Sequence, residues 1–406
     1  MFSKVSVNHP LAYFFLAFIT MAGLSYINFL PGVVNALAGS IGFSDAQAGQ
    51  IVALNGYGGL LGSTIAIFLV RRMRWQSAMY TFLAMLAVID TGTLWIEDYS
   101  VMLGWRFLAG LLGGLCVGIG FSVLARLNNA DRAFGTLLLI QFSLGALVIY
   151  LLPALETLLG AYAVFYLMAG FALLSLIMML FLPSLATDHK PVKQSVLLSE
   201  LNGNAVLLLL AITAYQLAAS AIWTYVGRIG LNAGIHADHV SLSIAMTGLL
   251  GLLGAMLPVI SGNRFGRLSW VITGVALSVF SALLLSVSPL TPLFYITSMA
   301  LLFFSWPAVQ SYLLAVTADM DGTGRLSALA AVVSSVGLAT GPLLASGLLE
   351  NGNFSSMLYA SALVFVLCLL LLFKPVQAQE RTKTHVLPSH YQPNATRYQP
   401  NTKDPI

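Results

Sequence analysis

The sequence predicts an all-α integral membrane protein with twelve transmembrane helices in two six-helix bundles. Of its 406 residues, 58% are hydrophobic and only 8% are charged, whereas a soluble domain has about 25% charged residues. The uncharged run over 268–318 is long enough for two crossings and a turn, because one helical crossing needs about 20 apolar residues. A segment of the first half also aligns without gaps with a segment of the second half.

The apolar runs predict helices rather than strands. Only helices and closed barrels satisfy their backbone hydrogen bonds in lipid, and these runs are too long and too uniformly apolar for barrel strands. The first run lacks the pattern of a cleaved signal, so we expect it to be the first crossing. Proline, glycine and charge clusters place the twelve helices at residues 10–37, 47–70, 76–96, 100–125, 133–154, 160–183, 204–228, 240–261, 268–288, 292–317, 326–348 and 355–374.

The basic residues predict the orientation. With the N-terminus inside, the predicted cytoplasmic segments hold 16 of the 18 Lys and Arg residues, leaving Arg228 outside and Arg106 within a span. Cytoplasmic loops carry such an excess, so we expect both termini in the cytoplasm and the chain in the plasma membrane, the inner membrane of a bacterium. The net charge of +4 therefore reports orientation, and we predict no nucleic-acid partner.

An internal duplication predicts the domain organisation. "GLLGSTIAIFLVRRMRW" (59–75) aligns on "GLLGAMLPVISGNRFGR" (251–267), 192 residues later. Many transporters are built from such repeats around a site near the membrane midplane. We predict an N-terminal six-helix bundle (1–185), a cytoplasmic central loop (186–203), a C-terminal six-helix bundle (204–375) and a disordered cytoplasmic tail (376–406).

The repeated segments carry a motif of a known family. "GAMLPVISGNRFGR" (254–267) matches Gly, several variable residues, then Asp-Arg-x-Gly-Arg, with Asn263 in place of the Asp. The copy in the first half keeps Gly62 and Arg72. Helix four adds "RFLAGLLGG" (106–114), an Arg followed by Gly and further small residues, which let helices approach closely.

On these motifs the sequence resembles the major facilitator superfamily, in particular bacterial twelve-helix members, over residues 10–374. The resemblance implies a secondary transporter whose halves open alternately to the two sides of the membrane. It also implies a cytoplasmic gate in which the motif latches the inner ends of the halves. The gate residues carried over are Gly62, Arg72, Gly254, Asn263, Arg264, Gly266 and Arg267.

Neither copy of the motif has its acid, which leaves the role of its arginines open. They can face C-terminal helix carbonyls, which favour positive charge, or pair with Asp131, Asp319 or Asp321. Alternatively, they only orient the loops relative to the membrane.

Asp90 and Arg106 are the two ionisable residues well inside the predicted spans. Both lie about eight positions from the outer turn at 97–100, or about 12 Å of helix rise, and so at similar depth. A charge at that depth is costly unless it is paired or hydrated. Arg106 is a candidate anchor for a substrate anion or part of a proton relay with Asp90; the alternative is a structural ion pair that locks two helices.

The other substrate-site candidates are neutral. In the family, eight helices line a central cavity, and this implies an aromatic, amide-rich site for a small, partly apolar solute. Each side chain alone can equally bond a neighbouring helix. The candidates are Tyr26, Asn28, Asn55, Gln141, Gln216, Trp223, Trp306 and Gln310.

The function predicted is secondary active transport of a small organic solute, with the lipid bilayer as surroundings and protons as a candidate coupling ion. The sequence shows no metal-ligand spacing, nucleophile motif or phosphate-binding loop, so we predict no enzyme, metal or cofactor. We expect a monomer. The alternatives are a transporter-like receptor or sensor and a drug/proton efflux pump, although helix five lacks the Gly-x-x-x-Gly-Pro signature of drug antiporters.

Overall fold

The computed structural model describes residues 5–6, 9–69, 73–182, 202–261, 266–321, 325–349 and 353–386, and the regular structure in these ranges is helical. Eleven of the described helices are long and apolar enough to cross a membrane. The apolar helix Ala163–Met179, with 17 residues, is the remaining rod of the bundle. The prediction of an all-α membrane protein with twelve helices is confirmed.

The helices follow the predicted order. The first half contains α1 (Pro10–Asn28, continued by Leu30–Asn35 and the π-helical turn Ala36–Ile41), α2 (Asp45–Leu69), α3 (Trp75–Gly92, then the 3₁₀ turn Thr93–Trp95), α4 (Tyr99–Leu124), α5 (Ala130–Leu159) and α6 (Ala163–Met179). The second half contains α7 (Gly203–Asn232), α8 (Ala237–Gly248, continued by Leu250–Ser261), α9 (Arg267–Leu285), α10 (Pro292–Met320), α11 (Arg325–Ser346) and α12 (Ser355–Val386).

Short polar side chains fix the start of several helices. Asp98 accepts a hydrogen bond from the backbone N–H of Val101 at 2.9 Å, and Asn202 accepts one from Ala205 at 2.8 Å. The first N–H groups of a helix have no partner within it, so such caps stabilise the first turn. They begin α4 and α7, respectively.

Helix α1 is interrupted, whereas the sequence predicted a single helix over 10–37. Pro31 has no N–H and cannot donate to the carbonyl of Ile27, four residues earlier, and the helix breaks at Phe29. The chain leaves through a π-helical turn to Gly42, whose φ of 104° suits a glycine. The break leaves the Ile27 carbonyl available to a partner on another helix.

Helix α12 continues to Val386, although the sequence predicted its end at 374 and a disordered tail from 376. Val376 is fully buried, and Gln379 Nε2 donates to Asp319 Oδ2 of α10 at 3.0 Å. These contacts hold the first additional turn, and residues 376–386 are helical instead of disordered. The rest of the predicted tail, and the central loop up to residue 201, lie outside the described residues.

Glycines bring α2 against α4, and α8 against α10. A Cβ atom on Gly62 would collide with the carbonyl of Leu111, and one on Gly254 with the carbonyl of Phe304. The glycines are 192 positions apart (254 − 62) and their partners 193 (304 − 111). The duplication seen in the sequence is therefore also present in the packing.

The two halves contact each other from mid-depth towards one end. Helix α2 packs against α11, the outer segment of α1 (Leu30–Asn35) against α7, and α5 mainly against the first segment of α8, Ala237–Gly248. The charge pattern predicts that this end faces outwards, and we call it the outer end. In the described part of the chain, the halves are closed at the outer end.

Candidate functional site

Asp90 on α3 and Arg106 on α4 form an ion pair inside the first half. Arg106 Nη1 donates to Asp90 Oδ1 at 2.8 Å and lies 3.3 Å from Thr93 Oγ1. The side chains are 0% and 1% exposed. The guanidinium carbon also lies 4.6 Å from the ring centroid of Tyr26 and 5.2 Å from that of Phe165, within the range of cation–π attraction. Helices α1, α3, α4 and α6 thus meet around one arginine.

The hydrogen bonding of this pair is incomplete. Asp90 Oδ2 and Arg106 Nε and Nη2 are buried without a hydrogen-bond partner in the described residues. Leaving a buried polar atom unpaired costs free energy, more so for a charged group. In this conformation the pair joins two helices within one half, and Arg106 is too deeply buried to anchor a solute between the halves.

Two further candidates belong to the interior of the first half. Asn55, which is 5% exposed, donates from Nδ2 to the backbone carbonyl of Arg106 at 2.8 Å and so ties α2 to α4. Tyr26 is also buried, with its ring against the Arg106 guanidinium. Neither side chain is presented to the second half in this structure.

In the second half, three candidates meet around Ser334. Gln216 Nε2 on α7 donates to Ser334 Oγ on α11 at 2.7 Å, and Gln310 Nε2 on α10 donates to the same oxygen at 3.2 Å. Trp306 Nε1, also on α10, donates to Gln216 Oε1 at 2.5 Å. Gln310 Oε1 is buried and has no hydrogen-bond partner in the described residues. We call these four residues the amide cluster.

Trp223 links the face that carries the amide cluster to the first half. Its Nε1 donates at 3.0 Å to the carbonyl of Ile27, the group that Pro31 leaves without a helical partner. Its ring packs edge-on against Phe303, with ring centroids 5.1 Å apart. Residues seven apart share a helix face, so Gln216 on α7 points the same way as Trp223.

The last two candidates lie near the same boundary. Asn28 follows Ile27 on α1, and its Nδ2 is buried without a hydrogen-bond partner in the described residues. Gln141 on α5 is partly exposed next to Phe142, whose ring lies against Gly251 of α8. Each of these two residues is therefore one position along its helix from a group that contacts the second half.

The outer end is joined by a second ion pair. Arg228 Nε on α7 donates to Asp45 Oδ1, at the start of α2, at 2.7 Å, and the Tyr225 hydroxyl donates to the Asp45 carbonyl at 3.0 Å. The two charged side chains are 25% and 17% exposed, so water weakens their attraction. This cluster connects the halves directly.

A cavity of about 130 Å³ remains beside this pair, lined by Asn35, Glu156 and Arg228 among others. Sites for drug-sized ligands usually enclose about 300–1,000 Å³. The outer cavity is therefore too small to be the main solute site.

At the inner end, Arg267 of the gate motif forms an ion pair with Asp319 and lies 3.3 Å from the Ala315 carbonyl, near the C-terminus of α10. Helix C-termini favour positive charge. Gly266, before it, adopts a φ of 79°. Arg72, Asn263 and Arg264 lie outside the described residues.

Sequence reasoning missed several partners. Ser334, Phe303 and the pairing of Asp45 with Arg228 were not among its candidates. Arg228 gave a usable signal, because a basic residue isolated near the outer end needs an acid nearby. Ser334 gave none, since serine is common in membrane helices.

Comparisons with known proteins agree with this architecture. The model of the Major Facilitator Superfamily matches residues 208–392. A solved structure of a mutant of the nucleoside transporter NupG is 11% identical with a TM-score of 0.76, covering 91% of this chain and 99% of that chain. A bacterial homologue of the human lysosomal transporter Spinster, inward-facing and unoccupied, is 13% identical with a TM-score of 0.67, covering 93% and 98%. No curated protein matches in sequence.

Proposed function

We propose that this protein of the major facilitator superfamily is a secondary transporter that moves a small organic solute by alternating access. The resemblance found in the sequence is confirmed by the family model over the second half and by the fold over nine-tenths of the chain. In this mechanism the two halves part at one end of the molecule while they close at the other end.

The observation that carries the proposal is the one-sided contact between the halves. Among the described residues, hydrogen bonds join the halves at Tyr57–Thr340, Trp223–Ile27, Tyr225–Asp45 and Arg228–Asp45. All four lie between mid-depth and the outer end. A receptor that only binds its ligand has no need to open and close the two ends in turn.

We place both termini in the cytoplasm and the chain in the inner membrane of a bacterium, from the distribution of basic residues. The two bundles, 1–185 and 204–375, are the bodies that rock. Arg267 pairs with Asp319 within the second half, so we assign the pair to holding the inner ends of α9 and α10 together beside the gate, with Asp319 in place of the missing acid of the motif.

The test is uptake into proteoliposomes that contain the purified protein. We expect saturable uptake of at least one solute from a panel of metabolites, and faster uptake when the same solute is preloaded inside, because exchange through one central site needs no other energy source. Protein-free liposomes are the control. Uptake that rises with an imposed pH gradient would assign protons as the coupling ion.

Two outcomes would contradict the proposal. Specific binding of a solute with no flux under any gradient would favour a receptor. Uptake that requires ATP would exclude a secondary transporter.

A further inference from the structure

Three ion pairs join charged groups of the described spans, and Glu156 of α5 lies at the outer end, where it lines the cavity with Arg228. Asp90 pairs with Arg106 inside the first half, Asp45 with Arg228 at the outer end, and Arg267 with Asp319 at the inner end. At mid-depth, the described candidates beside the contact are amides and aromatic side chains. An ionic solute would have no counter-charge there, and a buried unpaired charge costs several kcal/mol. The solute is therefore uncharged.

Unpaired polar atoms indicate what the solute must offer. Gln310 Oε1 is a buried acceptor without a donor, and Asn28 Nδ2 is a buried donor without an acceptor, among the described residues. Buried polar groups normally have partners. The other polar atoms of the amide cluster already bond one another. A solute that fits carries both hydrogen-bond donors and acceptors on its edge.

Aromatic side chains indicate the shape of the solute. On α10, Phe303, Trp306 and Gln310 lie at positions i, i+3 and i+7, which share one helix face. Trp223 meets Phe303 from α7. Phe303 lies about 10 Å along α10 from Gln310. The aromatic surface is therefore on the outer side of the unpaired Gln310 carbonyl oxygen. Aromatic faces favour flat ring partners, so a solute that stacks here carries a flat ring.

We infer that the site takes an uncharged, flat heteroaromatic compound with donors and acceptors on its edge, the chemical class of nucleobases and aromatic carboxamides. The inference rests on the proposed function, because it assigns the solute of the same central site. Trp306 and Gln310 are its main contacts, with the indole face against the ring and Gln310 Oε1 accepting from an N–H group.

Two sets of probes keep the same ring and change the charge of its substituent. Nicotinamide is compared with nicotinate (anionic) and 3-(aminomethyl)pyridine (cationic), and uracil with orotate (anionic). Binding to the purified full-length protein is measured by calorimetry, and uptake is measured in proteoliposomes. We expect at least one neutral probe to bind about tenfold more tightly than its charged relatives.

Variants locate the site. Gln310→Leu and Trp306→Phe should each weaken binding of the neutral probe about tenfold, the effect of losing one good contact. Trp95→Phe is the matched control, because Trp95 is 77% exposed at the outer end and should leave binding unchanged. Gln310→Glu adds a charge and should gain binding of 3-(aminomethyl)pyridine, an outcome that a misfolded variant cannot give.

The outcomes separate this inference from the proposed function. Flux of charged probes in preference to neutral ones would keep the transporter and overturn the neutral site. Tight binding of a neutral probe without flux would keep the site and contradict transport. Failure of every neutral probe to bind up to about 10 mM, or full binding by Gln310→Leu and Trp306→Phe, would also overturn the inference.

Discussion

Equivalent helices are joined by charge in one half and by hydroxyl groups in the other. In the first half, Arg106 of α4 pairs with Asp90 of α3. In the second half, Ser281 Oγ of α9 donates to the Ser298 carbonyl of α10 at 2.8 Å, and Ser298 Oγ donates back to the Ser281 carbonyl at 2.6 Å. Ser298 follows Arg106 by 192 positions (298 − 106) and Ser281 follows Asp90 by 191 (281 − 90). The two pairs thus occupy equivalent places in the repeat.

The difference shows that charge is not needed to join these helices. Two hydroxyl groups do so in the second half, and both donate at good distances. The charged pair has three polar atoms without partners in the described residues, a cost that the serine pair avoids. We interpret the charged pair as serving more than cohesion.

The largest effect is expected from breaking the charged pair. Arg106→Ala leaves Asp90 buried without a partner, and should lower the free energy of unfolding by about 3–5 kcal/mol. Unfolding in mixed micelles measures this value. Arg106→Lys keeps a positive charge and should lose clearly less. Equal losses in both variants would show that geometry at this site, and not charge, decides the stability.

A smaller and symmetric effect is expected at the equivalent glycines. Gly62→Ala and Gly254→Ala each place a Cβ against a backbone carbonyl. Each substitution should lower the free energy of unfolding by about 1–3 kcal/mol. Gly170→Ala on α6 is the matched control, because its Cβ meets no atom within 4 Å. A marked loss at one motif glycine with none at the other would contradict equivalent packing in the two halves.

In the serine pair, Ser281→Ala removes one hydrogen-bond donor and should lower the free energy of unfolding by about 1 kcal/mol. The same unfolding measurement in micelles applies. A loss as large as that of Arg106→Ala would mean that the two pairs contribute alike, and the contrast between the halves would disappear.

The smallest change in stability is expected when both charges are removed together. Asp90→Leu with Arg106→Met replaces a buried ion pair by apolar side chains, which is often neutral for stability. We expect unfolding within about 1 kcal/mol of the unmodified protein, but loss of uptake in proteoliposomes. Normal uptake by this folded variant would show that the ion pair only joins the two helices and has no part in transport.

Sequence reasoning reached the helices and the depth of the charges, because both depend on local composition. About twenty apolar residues in a row predict a crossing, and counting from one turn places Asp90 and Arg106 at one level. Only part of the break in α1 could be predicted. Pro31 implies that the Ile27 carbonyl lacks a helical donor, but the donor that replaces it, Trp223, lies 196 positions away. The continuation of α12 beyond residue 374 could not be predicted, because Gln379 bonds to Asp319, which lies 60 positions away in the sequence.

The site was harder to predict than the fold for the same reason. Gln216, Trp306 and Gln310 were candidates as polar groups in lipid, but Ser334, which connects two of them, is 118 positions from Gln216. Asn55 and Tyr26 face the interior of their own half, since a helix has several buried faces and composition does not choose among them.

The central claim is that the halves, closed from mid-depth to the outer end, must part there during transport. A Cβ on Gly56 of α2 would lie 3.1 Å from the Cβ of Ala339 on α11, so Gly56→Cys with Ala339→Cys places two thiols across the contact between the halves. Uptake should stop when this double variant is oxidised and return on reduction, while each single variant transports in both states. Full uptake by the cross-linked protein would contradict the account.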